Sequence, residues 1–266
     1  MDIKVVVGLV NDRGQTYYVV QDDDGEDILY SMNRDWWSDR LRGQSAETVR
    51  VAIGQQTRNY DSGPKRELGV ALNATVRDRL AKSGKNGLSV LEIGCANGPT
   101  IRHLTKHFPN LELTFYGIEL NGVLVDDFRR HFPQYNVIQG GVEEFVENDV
   151  STFPHAPYDL FLASGTLCMV KPNMMIEVLR KAARLTNRFV FWEYLENRNG
   201  QISKDRPVFF ELEGAPHYLF AHAFETLLKK IGFKIDVLEF TPPESLSHGA
   251  HTGIIVASRK GRKRAR

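Results

Sequence analysis

A chain of 266 residues, 42% of them hydrophobic and 10% aromatic, can fill one large core, or a core with a small addition beside it. The net charge of +1 hides an asymmetry, because the terminal stretch RKGRKRAR is mostly Lys and Arg while the body before it is acidic, which counts against nucleic acid as the main partner. Two cysteines, Cys95 and Cys168, exclude a disulfide scaffold and fit a reducing cytosol, and no apolar run approaches the roughly 20 residues that span a bilayer, so a cytoplasmic protein is expected.

In chain order, residues 1–45 read as an accessory region. Strand-like runs at Ile3–Val10, Thr16–Gln21 and Ile28–Met32 are separated by NDRG and DDDGED, whose Asn, Asp and Gly suit turns, and this predicts a small three-stranded β-meander. Such a piece could serve as a lid, a substrate-recognition element or the edge of a homodimer. The acidic run around Asp22–Asp27 lacks the spacing of a calcium loop and reads as a solvated turn. Trp36 and Trp37 read as core anchors, with a substrate platform as the alternative. A helical stretch from about Ala46 to Ile53 leads into the polar connector QQTRNYDSGPKRE, and a helix over Glu67–Ala81 places Leu68, Ala71, Leu72, Val76 and Leu80 on one face.

The stretch Leu88–Thr100, LSVLEIGCANGPT, carries the most information. A short apolar strand ends in Glu92, a loop of small residues runs from Gly94 through Cys95, Ala96 and Asn97 to Gly98, and Pro99 opens a helix with Ile101, Leu104 and Phe108 at helical spacing. Small residues let a ligand approach the backbone, and the N–H groups of the first helical turn point at it. The dinucleotide fingerprint is absent, since Ala96 and Pro99 stand at its second and third glycine positions.

Strand and helix alternate from there. Leu113–Ile118 is a strand ending at Glu119, about 20 residues past the loop, where a carboxylate accepts hydrogen bonds from ribose hydroxyls in doubly wound nucleotide folds. A helix at Leu124–His131, a strand at Asn136–Gln139 and the turn Gly140–Glu143 follow. The next strand, Asp159–Ala163, opens into Ser164, Gly165, Thr166, Leu167, Cys168 and Met169. A helix over Met174–Thr186 precedes a strand at Phe189–Trp192 that ends in Glu193 and Tyr194, and the stretch GAPHYLFAHAFETLLKKIGF reads as a helix stopped at Gly232. Strands Phe233–Phe240 and Thr252–Ser258, joined by a loop, make an antiparallel last pair. The expected fold is α/β: a doubly wound, mostly parallel seven-stranded sheet with an antiparallel last strand, over residues 46–258, with a basic tail at 259–266.

The E-x-G-x-x-x-G loop from Glu92 to Gly98, Glu119 and the antiparallel ending together resemble class I S-adenosylmethionine-dependent methyltransferases, over about Glu67 to Ser258. The resemblance implies S-adenosylmethionine as cofactor, with S-adenosylhomocysteine as product. It implies a cofactor site made of Glu92, Gly94, Cys95, Ala96, Asn97, Gly98, Glu119, Leu120, Val142, Glu143, Ser164 and Gly165, with Tyr60 or Arg58 reaching the cofactor carboxylate from the N-terminal segment. Val142 would pack on adenine and Glu143 meet its amino group.

For catalysis the candidates beyond the strand ends are His217, His222 and Glu193, followed by Tyr194, His248 and His251. The base-methylating pattern [DNS]-P-P-[YF] is absent after the fourth strand, and no proline precedes Cys168 as it does in pyrimidine C5 methylation, so Cys168 reads as structural. No metal is expected: the fourth strand ends in Ser164, and His103 with His107, sharing a helix face, read as surface residues. The leading expectation is O-methylation of a small molecule, of sugar or natural-product type, by in-line displacement. The alternatives are an RNA or protein methyltransferase anchored by the basic tail, and a non-catalytic binding module of the same fold.

Overall fold

The computed structural model describes residues 5–10, 16–20, 23–45, 47–49, 51, 54, 65–195, 208–211, 218–240 and 252–260. Strands β1 (Val5–Val10) and β2 (Thr16–Val20) pair antiparallel, as expected. The third meander strand does not form. Ile28–Met32 lies inside helix α1 (Asp23–Asp39). The run taken for a turn falls, from Asp23 on, in the first turns of this helix. Leu29 and Asn33 are buried and Trp37 half-buried, at a spacing of four that puts all three on one helical face.

The main sheet is built from β3 (Gly87–Ile93), β4 (Glu112–Glu119), β5 (Asn136–Gln139), β6 (Leu160–Ser164), β7 (Arg188–Tyr194), β10 (Phe233–Phe240) and β11 (Thr252–Arg259). Their order is β10-β11-β7-β6-β3-β4-β5, with only β11 running against its neighbours. The central strands are apolar on both faces because helices cover both. One face packs Phe161, Phe189, Phe191 and Phe233 against the helix α6 (Pro172–Leu185), with Val178 and Leu179 in the same cluster. The other packs Val90, Leu162 and Val190 against Leu68, Leu72 and Val76 of the helix α2 (Arg66–Ser83).

Local chemistry fixes the helix ends around the site. Pro99 opens α3 (Pro99–His107), where its missing N–H costs nothing. Asn121 caps α4 (Gly122–His131): its Oδ1 accepts from the N–H groups of Val123 and Leu124 at 3.0 and 3.3 Å. The Asn121 Nδ2 donates to the Trp37 carbonyl at 2.9 Å, tying α1 to the sheet. Glu144, in the helix α5 (Val142–Glu147), accepts the Gly141 N–H at 2.7 Å.

The chain before the last two main-sheet strands also departs from expectation. Tyr218–Ala221 is a strand, β9, and the helix α7 begins only at Phe224 and ends at Lys230. Strand β8 (Val208–Glu211) pairs antiparallel with β9 and with β2, giving a second, four-stranded sheet of order β1-β2-β8-β9. The N-terminal strands are therefore completed by strands from the body of the chain.

Candidate functional site

A cleft enclosing about 1030 Å³, its open mouth included, lies at the carboxyl ends of β3, β4 and β6, where open α/β sheets hold ligands. Its floor is the loop after β3. Gly94 has φ +71° and its N–H donates to the Ile118 carbonyl at 2.8 Å; a Cβ there would collide with the Thr166 side chain. Ala96 also adopts a left-handed φ of +46°, which a side chain tolerates only when held. What holds it is Glu119, whose Oε2 accepts the Ala96 N–H at 2.8 Å while Oε1 accepts the Asn121 N–H at 2.9 Å. Burial pushes the Glu119 carboxyl up, and these N–H groups pull against it.

Glu92, only 1% exposed, points into the same cleft. Its Oε1 accepts from the Thr100 hydroxyl at 2.9 Å, whereas Oε2 is buried with no protein partner. Burial pushes its pKa up to about 8, against the opposing pull of Thr100 and Lys65. Lys65, just before α2, lies close by. Its Nζ makes a long, 3.5 Å contact with the Ser164 carbonyl and sits 5.5 Å from the centre of the Trp192 ring. Ser164 is buried, and its Oγ has no protein partner.

At the opposite end Val142 and Glu143 face the cleft. Arg34 of α1 pairs with Glu143 at 3.3 Å and with Glu144 at 3.6 Å, leaving Glu143 Oε2 buried without a partner. Tyr30, Asn33 and Trp37 complete the α1 wall. Lys171 pairs with Asp27 at the start of the same helix.

The cleft thus brings together Glu92, Gly94, Ala96, Glu119, Leu120, Val142, Glu143, Ser164 and Gly165. Cys95, Asn97 and Gly98 frame it from behind. Cys95 is buried in the α2-side core, Asn97 Nδ2 donates to Asp127 at 3.0 Å, and Gly98, at φ +87°, caps α3 with Phe132 packed where a Cβ would sit. Tyr60, Arg58, His217, His248 and His251 lie outside the described residues. Tyr30, Asn33, Arg34, Lys65, Thr166 and Met169 line the cleft without having been expected, and so does Trp37, for which a substrate platform was only the alternative. For α1 the signal was present, in the spacing of Leu29, Asn33 and Trp37; Lys65 sits in a polar connector that carries none.

Two catalytic expectations are corrected. Glu193 is fully buried and does not line the cleft; its carboxylate accepts the N–H groups of Thr166 and Leu167 at 2.9 Å and of Cys168 at 3.1 Å. It shapes the turn after β6. Burial raises its pKa to about 7, with those N–H groups opposing. His222 is buried behind the same turn, its Nε2 between the carbonyls of Leu167 and Val170 at 3.1 and 2.9 Å, so that Nε2 carries the proton and donates. Burial lowers its pKa to about 4, which keeps it neutral. His103 is likewise not a surface residue: it is buried, with Nε2 3.0 Å from Asn73 Oδ1. Among the described residues no three His, Cys, Asp or Glu side chains are placed to hold a metal, and no helix is long and apolar enough to cross a membrane.

A family model described as a methyltransferase domain matches residues 66–238. No curated protein matches by sequence. Among solved structures, 1,6-didemethyltoxoflavin-N1-methyltransferase of Burkholderia thailandensis, with bound 1,6-didemethyltoxoflavin and S-adenosylhomocysteine, is 15% identical with a TM-score of 0.58, over 96% of this chain and 99% of that one. Magnesium protoporphyrin IX methyltransferase of Synechocystis PCC 6803, with bound S-adenosylmethionine, is 14% identical with a TM-score of 0.53, over 87% and 97%. DesVI of Streptomyces venezuelae gives 13% and 0.53, over 79% and 98%. Likeness at these identities is likeness of fold.

Proposed function

The chain belongs to the methyltransferase-domain family, and from that premise we propose that it transfers the methyl group of S-adenosylmethionine to an oxygen of a small molecule. The observation that carries this reading is the cleft itself. Three carboxylates, Glu92, Glu119 and Glu143, line it, and two of them keep a buried oxygen with no protein partner. An acid-lined cleft suits a ligand bearing an ammonium and a sulfonium, and the unpartnered oxygens suit its amino groups.

In this reading Glu119 accepts from the ribose hydroxyls while its N–H bonds hold the loop. Val142 packs on the adenine, and Glu143, steadied by Arg34, meets the adenine amino group. Glu92 and the left-handed Gly94–Ala96 backbone receive the methionine portion. When bound, the donor supplies an electrophilic methyl group. The protein then contributes alignment, shelter from water and a fixed field of charge.

A small acceptor accords with the toxoflavin and porphyrin enzymes of similar fold. Oxygen accords with the turn Ser164-Gly165-Thr166-Leu167, which lacks the pattern of base-methylating enzymes. Calorimetric titration of S-adenosylmethionine and S-adenosylhomocysteine into the wild type and Glu119→Ala tests the reading. Micromolar binding is expected, weakened in the variant by about 1.5–3 kcal/mol for a lost hydrogen bond to a charged group. No binding of either ligand to the wild type sinks it.

A further inference from the structure

Resting on that reading, we propose that the acceptor is a carboxylic acid, held by Lys65 and Ser164 and methylated on its carboxylate oxygen to give a methyl ester. The order of strands places this subsite. The groups assigned to adenine, ribose and methionine follow β5, β4 and β3 in turn, and the next carboxyl ends along the sheet are those of β6 and β7. There Ser164 and Trp192 are register partners, and Lys65 lies over the Trp192 ring.

The chemistry of this corner points to an anion. Lys65 carries only donors, and it makes a long, 3.5 Å contact to the Ser164 carbonyl. Ser164 Oγ and Trp192 Nε1 are buried, each without a protein partner. An ammonium and a hydroxyl lining the same corner of the cleft ask for an oxygen-rich, negatively charged group. Burial disfavours the Lys65 ammonium while Glu92 and Glu193 act to keep it charged, and an incoming carboxylate adds to that support.

Proton accounting agrees. Glu193 and His222 are committed to backbone groups, and the described carboxylates of the cleft sit at the donor end. A carboxylate nucleophile needs no base. Its lone pair forms the O–CH3 bond, the C–S bond breaks, and that electron pair stays on sulfur. An anion and a sulfonium become a neutral ester and a neutral thioether, with no proton moved. Lys65 is then left beside a group that no longer pairs with it, which favours release.

The test uses protein loaded with S-adenosylhomocysteine and benzoate as the probe, with benzyl alcohol as its neutral counterpart, by calorimetry on wild type, Lys65→Met, Lys65→Arg and Ser164→Ala. Saturable benzoate binding is expected in the wild type. It should weaken at least tenfold in Lys65→Met and severalfold in Ser164→Ala, and survive in Lys65→Arg, while benzyl alcohol binding does not follow the charge at position 65. S-adenosylhomocysteine affinity should stay within twofold in Lys65→Met, which also reports that this variant is folded. The proposal is overturned by absence of benzoate binding to the loaded wild type, or by benzoate binding Lys65→Met as well as wild type. It is equally overturned if Lys65→Met loses S-adenosylhomocysteine, because Lys65 then serves the donor's own carboxylate. Failure of the wild type to bind S-adenosylhomocysteine at all is a different result, and removes the methyltransferase reading beneath it.

Discussion

Replacing Glu193 by alanine separates a residue that reacts from one that holds a wall in place. The substitution strips the acceptor from three backbone N–H groups, of which those of Leu167 and Cys168 belong to buried residues. Each orphaned buried donor costs about 1–3 kcal/mol, and the half-exposed Thr166 can turn to water, so a loss of about 3–5 kcal/mol is expected at pH 5. The loss should shrink as pH rises. A carboxyl raised from 4.5 to about 7 on folding binds its proton more tightly in the folded state. Its contribution is full below the unfolded pKa and declines as pH climbs through about 7, by an amount on the order of 3 kcal/mol. The alanine variant lacks that decline, so its deficit against wild type narrows between pH 5 and pH 8. Urea unfolding followed by tryptophan fluorescence at the two pH values measures both quantities. Glu193→Gln keeps one acceptor oxygen, and should recover part of the stability together with donor affinity and turnover. A deficit below about 1 kcal/mol at pH 5, or one that widens toward pH 8, would refute the reasoning. A folded Gln variant with normal donor affinity and no turnover would restore Glu193 as a catalytic group.

Two further substitutions address the donor end. With the Glu92 pKa at about 8, the carboxylate that faces a cationic ligand fills in only as pH rises, so S-adenosylmethionine affinity should climb about three- to tenfold between roughly pH 6.5 and 8.5. Titration calorimetry should show that rise flattened in Glu92→Gln, and smaller for S-adenosylhomocysteine, which lacks the sulfonium. Gly94→Ala places a Cβ into the Thr166 side chain at a left-handed φ and should weaken S-adenosylhomocysteine by more than about tenfold. Adding Thr166→Gly, which removes the Cβ as well as the hydroxyl and methyl, should relieve the collision but leave the backbone penalty of about 1–2 kcal/mol; full recovery would show that the left-handed turn is not strained.

The legible parts of this molecule are those whose cause is local. Asn136–Gln139 and Phe233–Phe240 fall where the sequence puts them, because each is a short strand-like run bounded by a glycine, Gly140 after the first and Gly232 before the second, although both are edges of the sheet. The antiparallel ending was legible too, since two successive strand patterns joined by a short stretch with no helical periodicity in its sequence favour an antiparallel pair. Ile28–Met32 misled because five residues of mixed apolar character fit either period, and the helix shows only over the longer frame from Leu29 to Trp37. Glu119 and Glu193 look alike in sequence, each a glutamate at a strand end. What separates them is tertiary: one faces the cleft and holds the Ala96 N–H, whereas the other is surrounded by the turn after β6, whose N–H groups come from about 26 residues earlier. Lys65 was hidden for the same reason, as nothing near it in the chain shows that Ser164 and Trp192 will be its neighbours.

The second sheet governs the order in which this chain can assemble. Tyr18 finds its partner in Phe209, roughly 190 residues later. At a synthesis rate of about 5–20 residues per second, the β1–β2 hairpin waits on the order of 10–40 s with one edge bare before β8 leaves the ribosome. The main sheet has most of its strands by then, so the hairpin docks late, onto a body already largely formed, and it adds long-range contacts of the kind that slow folding. An open strand edge held that long is a template for pairing with another chain. The vulnerable interval in the life of this protein is therefore its own synthesis, and the vulnerable surface is the free edge of β2.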